Sequence, residues 1–172
     1  GQYGQNPQGQ YPQGQYPQGQ YPQNPQPQPT ATAGASGGSA QALPPAGAAL
    51  ATPALTALAA NETRGMQPEG SAFAGNFQQG QTLEQPFQIE ANKCYTVVGV
   101  GVGITELDIM IQVGQAPIPP QTIAQDNQTG AQAVVGGGGS CFKNPFPIGA
   151  PATVVMRATA GNGIALAQIY KK

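Results

Sequence analysis

Few residues in this chain are able to do covalent, acid–base or metal chemistry. Its 172 residues include Cys94 and Cys141 as the whole thiol inventory, no histidine, and 7 acidic against 6 basic side chains. Without an imidazole, neither a Ser-His-Asp nor a Cys-His relay can be built. Ser140 follows the run Gly136 to Gly139. That run lacks the Gly-Lys-Ser/Thr ending of a phosphate loop and has no base beside it, so it reads as a flexible hairpin connection. None of the acids sits in an apolar motif that would raise a carboxyl pKa for glycoside hydrolysis. The chain therefore reads as non-enzymatic, with no cofactor. Zinc wants three or four Cys, His or carboxylate ligands, which this inventory does not offer. The even cysteine count, in a chain with export features, predicts one disulfide, Cys94 to Cys141; two buried free thiols are the alternative. In the chain-entropy account, closing a loop of that span stabilises by about 4 kcal/mol.

Charge narrows the function classes further. Charged residues make up 8% of the chain and the net charge is -1, against roughly 25% charged residues in an ordinary soluble domain. No basic patch exists to neutralise phosphates, which argues against nucleic acid as a partner. No apolar stretch approaches the roughly 20 residues of a membrane span. The sequence opens at Gly1 without an initiator Met, a basic n-region or an apolar h-region. This reads as a processed form whose export signal has been removed, placing the protein outside the cell or on its surface. Asn61-Glu62-Thr63 and Asn127-Gln128-Thr129 match the glycosylation sequon, a motif short enough to arise by chance.

Composition changes sharply along the chain and marks its parts. Residues 1–30 contain no aliphatic or charged side chain, and GQYPQ recurs from Gly9, Gly14 and Gly19 before decaying into Pro25-Gln26-Pro27-Gln28-Pro29. Such a segment cannot bury a core, and its regular prolines favour polyproline II. Five residues against a three-residue turn aim Tyr11, Tyr16 and Tyr21 in three directions, which suits a rod surrounded by neighbours. These tyrosines, with Tyr3 and the prolines Pro12, Pro17 and Pro22, are the candidate assembly residues; a disordered spacer is the alternative. Residues 31–48 have linker composition. Residues 49–70 are a short helix and its connection, the helix running over Ala49 to Ala60 with Leu50, Leu55 and Leu58 near helical spacing and Pro53 in its first turn. Over 71–172, short alternating runs punctuated by Gly, Pro and Asn predict an all-β, antiparallel sandwich. Leu107, Ile109, Ile111 and Val113 share one face of a strand. Residues 152–159 and 164–170 are expected to form a closing hairpin about Ala160-Gly161-Asn162-Gly163.

The order Phe87-x-Ile89, Lys93-Cys94-Tyr95-Thr96-Val97, Glu106-Leu107-Asp108-Ile109 and Ile123-Ala124-Gln125-Asp126-Asn127 resembles the bacterial pre-peptidase C-terminal domain. Ala152 to Ala158 and Ala165 to Tyr170 are similar to that family's last two strands. The resemblance covers about residues 80–172. It implies a jelly-roll-like β-sandwich of secreted bacterial proteins, a non-catalytic module whose members in some cases bind calcium, polymeric carbohydrate or protein. The acids matching the pattern are Asp108 and Asp126, with Glu106 nearby. They are the candidates for a weak calcium site, although calcium takes six to eight oxygens; solvent-facing strand polars are the alternative. The cysteine pair and the loop Pro117 to Pro120 depart from the family pattern.

Two functions follow as expectations. One is a secreted structural protein that assembles with itself, as a homo-oligomer or filament, through the tail. The other is a cell-surface module that binds a glycan or protein, with the tail as spacer.

Overall fold

The computed structural model describes residues 37–114 and 117–172. The chain divides into two units, Gly1–Thr32 and Ala33–Lys172, and the described residues belong to the second. The repeat, with Tyr3, Tyr11, Tyr16, Tyr21, Pro12, Pro17 and Pro22, lies outside the described residues.

The described part is mostly strand. After β1 (Gln41–Leu43) come a 3-10 turn (Pro45–Ala48) and one helix, α1 (Thr52–Glu62). The other strands are β2 (Gln67–Phe77), β3 (Thr82–Ile89), β4 (Cys94–Val113), β5 (Gln121–Gln125), β6 (Gln132–Val135), β7 (Phe142–Lys143) and β8 (Ala150–Lys171). All strand pairs are antiparallel, and the long strands β4 and β8 run side by side through the whole sheet. Around their Cys94 end the order is β1-β2-β8-β4, with β6 and β7 on the outer edge of β4. Around their Val113 end it is β3-β8-β4-β5.

These two halves fold over one another. Gly99 and Ile109 would lie about 33 Å apart on a straight strand, yet a Cβ placed on Gly99 would come within 2.5 Å of Ile109 Cδ1. The turn-back is made where the β4–β8 register slips, between Val102 and Leu107. Gly103 (φ +84°) and Gly161 (φ +82°) hold the left-handed region there. A Cβ on Gly103 would sit 2.6 Å from Asn162 O, and one on Gly161 2.7 Å from Thr105 N. Only glycine satisfies both conditions. The segment Ala160–Gly163 is therefore not a hairpin: β8 passes through it, and it forms half of a corner whose other half is Gly101-Val102-Gly103. A Gly-Asn-Gly run signals a tight bend in either case; the facing glycines of β4 decide which bend forms.

The folded sheet is a β-sandwich, and its interior is filled by Phe77, Tyr95, Val97, Leu107, Ile109, Ile111, Val154 and Met156, none more than 1% exposed. Each contributes on the order of 1.5–3 kcal/mol by leaving water. A second apolar layer lies outside the Cys94 half, where Ala48, Ala51 and Leu55 pack with Val98, Val100, Val134 and Leu166. Cys94 to Val100 is thus buried on both faces, and its sequence reads as an apolar run without alternation. Pro53 stands in the first turn of α1, where a missing N–H costs nothing. Leu55 and Ala59 face inward, whereas Leu50 precedes the helix and is 79% exposed.

Candidate functional site

The acids expected to hold a cation are committed elsewhere. Glu106 Oε2 accepts from the Gly130 amide (2.7 Å), Asp126 Oδ1 accepts from the Ile109 amide (2.6 Å), and Asp108 accepts from the Thr159 hydroxyl. Asp108 and Asp126 line one small cavity together with Arg157, while Glu106 is not among its lining residues. Among the described residues, no group of three His, Cys, Asp or Glu side chains converges to hold a metal. Each of the three carboxylates instead fastens a strand or loop, and Asp108 and Asp126 share a cavity that Glu106 does not line. Asp126 is the unusual member. Its Oδ2 is buried without a hydrogen-bond partner among the described residues, and burial raises its pKa. The Ile109 amide opposes that shift and the neighbouring Asp108 charge adds to it.

Cys94 and Cys141 are joined, with Cα atoms 5.5 Å apart. The pairing Val97↔Val135 and Tyr95↔Phe142 shows that β6 and β7 follow one another along β4 in the same direction. Residues 136–141 are thus an excursion opposite Thr96, not the hairpin connection expected of the glycine run. Gly136, Gly138 and Gly139 take positive φ within it, and Thr96 Oγ1 donates to Gly136 O. The disulfide ties the far end of the excursion back to β4. Between this loop and the end of α1 lies a polar cleft of about 400 Å³, lined by Glu62, Gln125, Asn127, Gln128 and Ser140.

The Cys94 end is also fastened by charge. Lys171 Nζ on β8 reaches Glu69 Oε2 on β2 (2.8 Å) and Glu90 Oε1 after β3 (2.6 Å). The bond from Lys171 lowers the Glu90 pKa, and both acids raise that of Lys171, Glu69 foremost. Beneath them, the Glu90 amide donates to the Tyr95 hydroxyl (2.8 Å), and the Tyr95 ring meets Phe87 edge-on at 5.7 Å. Burial raises the Tyr95 pKa.

At the Val113 end the described residues display apolar side chains. A groove of about 420 Å³ runs between Val113, Ile118, Phe146, Pro147, Ile148 and Pro151. Ile118 is 64% exposed and Ile148 69%. The loop bearing Phe146 and Ile148 is held in place by Asn144. Its Oδ1 accepts from the Phe146 amide (2.9 Å), and its Nδ2 donates to Ile148 O (3.0 Å) and Glu90 O (3.2 Å). Both walls are stiffened by proline, through Pro117-Ile118-Pro119-Pro120 and Pro145-Phe146-Pro147-Ile148, because proline fixes φ. The floor passes into a second shallow cavity of about 370 Å³ beside Pro86, Phe87 and Thr153, sharing Gly114 and Pro151. No lining residue of either cavity is charged. The sequence signal of this groove is proline alternating with Ile or Phe in two segments that only the fold brings together.

Compared with protein-family models and with curated proteins, the chain matches no family model and no curated sequence. The resemblance to the pre-peptidase C-terminal domain accordingly rests on the short segments quoted above.

Proposed function

We propose that this chain is a non-enzymatic, exported structural protein that assembles with copies of itself through its N-terminal repeat, the stapled sandwich being the unit that is linked. The carrying observation is the absence of any charged side chain from residues 1–61, within which GQYPQ recurs in register. No charge in such a segment repels a second copy, and its sequence places Tyr and Pro at regular intervals. The Cys94–Cys141 disulfide supports an oxidising, extracellular setting. The described carboxylates that fasten strands and loops support a structural use of the few acids present. The likeness to a non-catalytic module of secreted bacterial proteins points the same way. The test is deletion of residues 1–30: the full chain should form large particles in a sizing column with light scattering, and the deletion variant should elute as a monomer.

A second reading is favoured by one feature, the polar cleft of Glu62, Gln125, Asn127, Gln128 and Ser140. Amide and hydroxyl groups of this kind can exchange hydrogen bonds with a sugar, making the sandwich a surface-glycan module with the tail as spacer. A glycan array with the full chain separates the two, since a blank array removes this reading and leaves assembly.

A further inference from the structure

We propose that the proline-walled groove at the Val113 end takes an extended Tyr-Pro segment of the GQYPQ repeat from a second copy of this chain. The proposal rests on the assembly reading and gives it a docking surface. The groove is apolar, uncharged and held open by Asn144 and by prolines on both walls. Preformed apolar grooves with aromatic and proline walls suit polyproline II peptides, because neither partner loses much conformational freedom on docking. The chain carries its own matching ligand. Tyr11-Pro12, Tyr16-Pro17 and Tyr21-Pro22 stand among Gln and Gly with no charge to desolvate. A tyrosine ring and the following pyrrolidine present apolar surface, while the phenolic hydroxyl and the flanking amides stay in water.

Valency argues for a second copy. Each chain carries three Tyr-Pro units in register, more than the groove at the Val113 end can hold at once. A chain that captured one unit of its own would still offer the others. In polyproline II a five-residue step advances about 15 Å and turns each successive unit by about a third of a turn. Domains docked on successive units would radiate to different sides of the repeat. The product is a branched or filamentous assembly, not a closed dimer.

The test uses the full chain and two groove variants, Ile148→Glu and Ile118→Glu. Both sites are exposed, and an unchanged thermal midpoint shows that each variant folds. Particle size is followed by sedimentation velocity. In parallel, binding of a fluorescent peptide with the sequence of residues 9–23 is followed by anisotropy. The expected result is loss of particles in both variants, peptide binding weakened at least tenfold, and dissolution of wild-type particles by excess unlabelled peptide. Variants that assemble and bind peptide within twofold of wild type overturn the groove proposal. If deletion of residues 1–30 then still abolishes assembly, the assembly reading survives without it. Particles that persist after that deletion overturn both. A wild-type chain showing no saturable peptide binding overturns the groove proposal whatever its particle size.

Discussion

Replacing both cysteines, Cys94→Ala with Cys141→Ala, removes a cross-link between residues 47 positions apart. In the chain-entropy account a loop of this size releases about 4 kcal/mol of unfolded-state constraint. For a domain of this length, each kcal/mol moves the midpoint by roughly 3–5 °C, so the variant should melt about 12–20 °C lower. The loss should also have a local face. The short β7 pairs only with Cys94 and Tyr95, and the bridge anchors the glycine-rich excursion before it. Amides of residues 136–143 should exchange faster than those of the β4–β8 core, which keeps its register. Calorimetry with and without reductant gives the magnitude, and hydrogen exchange gives the location. A midpoint within about 3 °C of wild type, or loosening spread evenly over the sheet, would refute this account of what the bridge holds.

Three further outcomes are expected. Gly103→Ala places a Cβ against Asn162 O at a positive φ and should cost about 3 kcal/mol or more, whereas Gly65→Ala, equally left-handed with nothing within 4 Å, should cost about 1 kcal/mol in urea titration; equal costs would remove the corner from the argument. Tyr95→Phe leaves the buried end of the Glu90 amide bond without its acceptor and should destabilise by about 1–2 kcal/mol, measured the same way. Asp126 has a folded pKa raised above its ordinary value near 3.8, so the folded state holds its proton longer and stability falls as pH rises through that window. Asp126→Asn should therefore gain relative to wild type between pH 4 and pH 7; a relative loss would mean that the charged form is needed, as in a cation site.

The all-β class, parts of β2, β3, β4 and β8, the short helix and the disulfide are legible in the sequence for identifiable reasons. Leu107, Ile109 and Ile111 alternate, Pro53 falls where a helix starts, and two cysteines allow only one pairing. What escaped was long-range. The glycines at 161 and 163 announce a bend but not its kind, because the kind depends on Gly101 and Gly103 of another strand. The run Gly136 to Gly139 likewise hides an excursion, since β6 and β7 are given their direction by β4. Leu50 has helical spacing to Leu58 but lies before the first turn of α1, where the 3-10 turn has already spent the chain. The apolar groove shows in the sequence only as two separate proline-rich segments, because its walls, 117–120 and 145–148, are brought together only by the start of β8 meeting the end of β4.

The central claim is that the repeat joins these domains to one another, and sedimentation velocity of the full chain beside a chain starting at residue 31 tests it most directly. Large, concentration-dependent species are expected for the first and a single species of monomer mass for the second. Identical monomeric profiles, or identical large species, would contradict it.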